Sequence, residues 1–154
     1  MSDIVKSSEK QIPAMSDKGI ELTSKLESFM KTLPQEAITT EHSLHAGVYS
    51  RTIKILEGVV ICGALIKRST NLVISGHVRV SIGNKDREYK GYAVIAASAN
   101  RKQAFVALED TYLTMYFSTK AVTIEEAEEE FTDEFKALLS RVKGSINHVT
   151  ITGE

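Results

Sequence analysis

Gly47-Val48-Tyr49-Ser50-Arg51-Thr52-Ile53-Lys54-Ile55-Leu56 opens a run of short apolar segments that continues to Phe117, and that run decides the fold. Val48, Ser50, Thr52 and Lys54 alternate with Tyr49, Arg51, Ile53 and Ile55, the period-two pattern of a half-buried strand. Glu57-Gly58 supplies a turn. Val59–Ile66 is apolar on both faces, which predicts a central strand, and Lys67-Arg68-Ser69-Thr70 is a polar loop. Asn71–Ser75 and His77–Ile82 read as two strands meeting at Gly76, with a hairpin turn at Gly83-Asn84-Lys85-Asp86. Arg87–Lys90, Tyr92–Ala97, Gln103–Leu108 and Tyr112–Ser118 complete the set, with loops at Ser98–Lys102 and Glu109-Asp110. About eight or nine short strands at this spacing predict a mainly β chain whose core, residues 41–119, is a small jelly roll.

The flanks read differently. Residues 1–15 are polar and aperiodic, the pattern of a flexible or partner-ordered arm. Ser16 or Asp17 can cap a helix over 16–34, and Leu22, Leu26, Phe29 and Leu33 fall on one stripe of it. Pro34 ends that helix and Gln35–Glu41 is a linker. Thr123 and Glu126 make a capping box at the start of a second helix, predicted over 123–143. Its face is Ala127, Phe131, Phe135, Leu138 and Val142, and Gly144 is its glycine cap. The five acidic residues in Glu125–Glu130 complement the helix dipole and read as a solvated helix start. The tail, 144–154, includes the β-prone Ile146–Thr152, suited to adding onto a sheet edge.

A chain of 154 residues with 25% charged residues supports one soluble domain. A net charge of −1 gives no field for attracting nucleic acid or an anionic membrane, so neither is expected as a partner. The single cysteine, Cys62, excludes an internal disulfide framework and reads as a buried structural thiol. Met1–Lys10 has no apolar core of a secretory signal, and no segment reaches the roughly 20 apolar residues of a membrane span. A cytoplasmic location is expected.

Four pieces together resemble a small family of bacteriophage-encoded cupin-like proteins. They are His42-Ser43-Leu44-His45-Ala46-Gly47-Val48-Tyr49-Ser50-Arg51, the run Ile53–Gly63, the segment Asn71–Val80, and Ala104-Phe105-Val106-Ala107-Leu108-Glu109-Asp110-Thr111. The similarity spans about residues 41–130. It leaves the N-terminal helix and the C-terminal tail outside, and it implies a cupin-like double-stranded β-helix or jelly roll, here with an N-terminal and a C-terminal amphipathic helix. It also implies a homo-oligomer in the host cytoplasm or the virion, without established activity. Catalytic cupins hold a divalent metal through histidines and a carboxylate. At the matching places this chain carries Ile66, the Ser69/Thr70 pair, Gln103 and Phe117, so no metal, no cofactor and no metal-dependent enzyme is expected.

Other chemical motifs are sparse. No serine sits in a nucleophile elbow and no glycine-rich phosphate loop is present. His42 and His45 read as surface or turn residues and His148 as solvent-exposed. His77 follows Gly76 and is read either as a satisfied structural histidine or as a cavity-facing ligand contact. Lys67-Arg68 and Arg101-Lys102 read as two solvated loop pairs, with an anion or phosphate site at one end of the jelly roll as the alternative. The leading expectation is a non-enzymatic phage protein working by homo-oligomeric assembly, in contact with other phage structural proteins or host proteins. Its contacts would be Leu22, Leu26, Phe29, Leu33, Phe131, Phe135 and Leu138. The alternative is a module binding a nucleotide or sugar in the barrel mouth through Arg51, His77, Arg101 and Tyr116.

Overall fold

The computed structural model describes residues 2–83 and 85–154, so Met1 of the arm and Asn84 of the predicted hairpin turn lie outside the described residues. The chain is mainly β, as expected. Its strands are β1 (Gln11–Ile12), β2 (Thr39–His45), β3 (Val48–Ile55), β4 (Val60–Cys62), β5 (Thr70–Ser81), β6 (Asp86–Ala97), β7 (Ala104–Ala107), β8 (Thr111–Ser118) and β9 (Ile146–Ile151). Two helices flank them, α1 (Asp17–Met30) and α2 (Ile124–Phe131). None of the helices among the described residues is long and apolar enough to cross a membrane.

The sheet runs β1-β6-β5-β8-β3-β2-β9, and β7 joins β4 to the far half of β5. The β5–β6 hairpin is the hinge between the two layers. Asn71–Ser75 of β5 pairs with β8, whereas Val78–Val80 pairs with β7. Gly76, opposite Gly91, sits at the change of partner. Gly76 has φ +144, and a Cβ there would lie 2.5 Å from Thr111 Oγ1 and 2.6 Å from Asp110 O. Only glycine lets β8 approach that closely. The two predicted strands on each side of Gly76 and Gly91 are therefore single bent strands. The sheet folds over on itself without closing.

Several other boundaries differ from the expectation. Of Val59–Ile66, only Val60–Cys62 is a strand, and it pairs with β7 alone. Its apolar residues face a cavity rather than two flanking strands. The linker Gln35–Glu41 runs into β2, which starts at Thr39. The last part of the arm is ordered, because β1 pairs with β6 and buries Ile12, while Met15 is also buried. Ser16 caps α1 as predicted, its Oγ accepting from Gly19 N at 3.1 Å.

The Thr123 cap also forms, its Oγ1 accepting from Glu126 N at 3.1 Å. However, α2 ends at Phe131, not near 143. Thr132 turns extended, and its hydroxyl donates to Leu65 O at 2.7 Å. Two short 3-10 turns, Phe135–Ala137 and Leu139–Arg141, follow. Gly144 (φ +90) turns the chain after these, toward β9, rather than capping α2. The tail adds to a sheet edge of its own chain, with β9 lying parallel to β2.

Two apolar clusters result. The larger one lies between the layers and includes Leu72, Ile74, Val78, Ile95 and Leu113. The smaller one joins Leu44, Tyr49 and Phe117 to Ala127, Phe131 and Leu138 under α2.

Candidate functional site

A cavity of about 670 Å³ lies within the larger cluster and reaches one side of the smaller one, whose Phe131 and Leu138 also line it. Its wall is mostly aliphatic, with Ile53, Ile61, Leu72, Leu113 and Met115 supplied by four strands, β3, β4, β5 and β8. The C-terminal end of α1 forms the lip through Leu26, Phe29 and Met30. Phe29 is 61% exposed, so the cavity opens at this lip. Cys62 stands just inside, its Sγ 3.5 Å from Met30 Sδ, and partial burial raises its thiol pKa. The thiol is an inert wall group there.

Two arginines stand in the same wall, and their surroundings differ. Arg51 Nη1 donates to Glu128 Oε2 at 2.7 Å, and Arg51 Nη2 donates to Ser140 Oγ at 3.0 Å. Glu128 is 2% exposed and also receives Arg141 Nε at 2.8 Å. Burial alone would raise the pKa of Glu128. Bonds from Ser140, Arg141 and Arg51 outweigh burial and hold it below the ordinary carboxylate value.

The network continues in one direction. Arg51 Nη1 reaches Tyr49 Oη at 3.4 Å, and His42 Nδ1 is 2.7 Å from the same oxygen. Asn147 Nδ2 donates to Ser140 O at 2.8 Å, which turns its Oδ1 to His42 Nε2 at 2.8 Å. His42 therefore carries its proton on Nε2 and accepts from Tyr49 at Nδ1. Burial lowers the pKa of His42 and raises that of Tyr49 to about 12, so both are neutral. His42 is thus corrected from a surface residue to a buried one. Its hydrogen bonds to Tyr49 and Asn147 compensate that burial.

Arg101 and Lys102 are corrected as well, being 2% and 1% exposed rather than solvated. Lys102 Nζ binds Glu134 Oε1 and Oε2 at 2.9 and 3.2 Å and Glu27 Oε1 at 3.3 Å. It ties α1 and the segment after α2 to the core beside the lip. Burial pushes Glu134 up, but the Leu65 N–H and Lys102 pull it below its ordinary value. Arg101 has no such partner. Its Nη2 donates to Thr70 Oγ1 at 2.7 Å, and Nη1 to Ser98 O at 2.6 Å and more distantly to Ala97 O and Arg68 O. All four acceptors are neutral. No carboxylate among the described residues pairs with it, and burial lowers its pKa to about 10, which leaves it charged at neutral pH.

Of the four predicted ligand contacts, the structure brings together Arg51 and Arg101 in the cavity wall and separates the other two. His77 is not in that wall and pairs with Glu88 across the β5–β6 hairpin. Tyr116 lines a shallower hollow on the far side of β8, with Asn71 and Arg68. The predicted contact residues divide too. Phe131 and Leu138 are buried within their own chain and Phe135 packs on the same cluster, so they are not available as a partner surface. Leu22, Leu26, Phe29 and Leu33 are exposed.

The residues that the resemblance sets at metal positions lie in several surroundings. Ile66 and Gln103 line the cavity, Thr70 is bonded to Arg101, and Phe117 is in the smaller cluster. Aliphatic and aromatic groups offer no electron pair for a divalent ion. No group of three His, Cys, Asp or Glu among the described residues could hold a metal.

No protein-family profile matches the chain, and no curated protein matches it. Among solved structures it is similar to a cupin superfamily protein of Desulfitobacterium hafniense, with 7% identity and a TM-score of 0.44 over 58% of this chain and 86% of that one. It is also similar to the cupin-2 domain of an XRE family transcriptional regulator from Enterobacter cloacae, with 11% identity and a TM-score of 0.45 over 55% of this chain and 100% of that one. A third likeness is to salicylate 1,2-dioxygenase from Pseudoaminobacter salicylatoxidans, with 11% identity and a TM-score of 0.47 over 74% of this chain and 34% of that one.

Proposed function

We propose that this chain is a non-enzymatic binding module that holds a small, largely apolar molecule in the cavity between its two β layers. The observation that carries this reading is the cavity of about 670 Å³, open at the α1 lip and walled by aliphatic side chains. That volume lies within the range of small-molecule sites, roughly 300–1,000 Å³, and a few polar groups in an apolar wall are the usual means of orienting a ligand. The nucleotide-or-sugar expectation gives way to a more apolar ligand, because His77 and Tyr116 stand elsewhere. Thermal-shift measurements against a panel of apolar and amphipathic small molecules test the reading. At least one class is expected to raise Tm, since binding only the folded state must stabilise it. The rise is expected to disappear in Leu113→Trp, whose indole occupies the cavity. A rise that survives the substitution, or none across the panel, would rule the site out.

A second reading rests on a different observation, the exposed stripe Leu22, Leu26, Phe29 and Leu33. It makes the chain a homo-oligomeric component of a phage assembly, in the virion or the host cytoplasm, with copies meeting along α1. Light scattering after size exclusion tests it directly: a strict monomer at all concentrations contradicts it.

A further inference from the structure

A charge removed from water is costly unless an opposite charge compensates it. Lys102 and Arg51, the other buried cations of the cavity region, obey that rule through Glu134 and Glu128. Arg101 does not. It is as buried as Lys102 and more buried than Arg51, it lines the cavity that Arg51 also lines, and it meets only neutral oxygens among the described residues. Among the described residues its hydrogen bonds come from Nη1 and Nη2, and none comes from Nε. Thr70 Oγ1 and Ser98 O hold the guanidinium in place through Nη2 and Nη1, and a guanidinium has five N–H donors in all.

We propose that Arg101 is the counter-charge for a carboxylate carried on an apolar body, so that the ligand class of the cavity is a hydrophobic monocarboxylate. This rests on the cavity being a ligand site. The aliphatic wall takes the body, and the buried guanidinium takes the head. One guanidinium supplies one charge and two parallel N–H donors, which matches a carboxylate better than a dianionic phosphate. Arg51 is set aside for this role because it already holds a carboxylate of its own chain, Glu128, at 2.7 Å.

The test is titration calorimetry of the full chain with decanoate and with decanol, which share a tail and differ in the head. The unmodified protein is expected to bind decanoate at least about tenfold more tightly than decanol, the size of one charge-assisted pair. Arg101→Met is expected to lose that preference while retaining decanol binding, and Arg101→Lys to keep much of it. Circular dichroism melting of each variant establishes that it is folded. Equal affinity for the two probes in the unmodified protein overturns the proposal but leaves the cavity as a ligand site. So does a preference that persists in Arg101→Met. Binding of neither probe overturns the proposal and counts against the ligand-site reading as well.

Discussion

The two apolar clusters share β3 and β8, yet they treat buried charge in opposite ways. Under α2, Arg51 and Arg141 share the Glu128 carboxylate, and the neutral chain from Tyr49 through His42 to Asn147 has a donor for each acceptor. Between the layers, aliphatic residues surround a cavity, and the Arg101 guanidinium in its wall has no carboxylate against it among the described residues. The difference separates a structural polar network from a site. A satisfied network fixes how α2, the two 3-10 turns and β9 sit on β2 and β3. An uncompensated charge beside a cavity has a cost that a ligand can offset.

The sharpest way to break the comparison is to impose the second condition on the first region. Glu128→Ala leaves Arg51 without a carboxylate in a buried setting. It is expected to destabilise the fold by about 3 to 5 kcal/mol in urea unfolding. A loss under about 1 kcal/mol would mean that the network does not hold the C-terminal segment.

A smaller effect comes from pH. His42 is kept neutral by burial, so its folded pKa lies below the ordinary 6.5. As pH falls, the unfolded chain takes up that proton before the folded one does. Stability is therefore full above about 6.5 and declines as pH drops toward the folded pKa. Glu128, held below 4.5, adds a further loss at lower pH. Melting curves between pH 7 and 5 are expected to show the first decline, and His42→Asn to flatten it. An unchanged slope in the variant would assign the decline to other groups.

The smallest effect is expected at the lip. Phe29→Ala removes an exposed side chain, so unfolding free energy should change by no more than about 0.5 kcal/mol. A larger loss that depends on protein concentration would instead favour pairing of copies along α1.

Much of the fold was legible because alternation and turn residues are local signals. β3, β8, the α1 cap and the Thr123 cap all follow from neighbours a few residues apart. Gly76 and Gly91 misled the reading: a glycine that ends a strand and one that bends it look identical without the partner strand. The second helix was drawn too long because Phe135 and Leu138 keep helical spacing from Phe131, although 3-10 turns carry them. Glu128 could have been singled out, since it sits four residues after Ile124 and three before Phe131, on the apolar side of an otherwise acidic run. Arg101 and Lys102 could not. Burial of Lys102 depends on Glu27 and Glu134, far along the chain in both directions, and no periodicity links them.

The central claim is that the space between the layers, and not the cluster under α2, receives a ligand. Methyl resonances followed during a decanoate titration test it most directly, because both regions carry reporters in one experiment. Saturable shifts are expected at Ile61, Leu72 and Leu113, which line the cavity and belong to the larger cluster, with Leu44 under α2 unmoved. Shifts confined to Leu44 and its neighbours, or no saturable shift at any of these methyls, would contradict it.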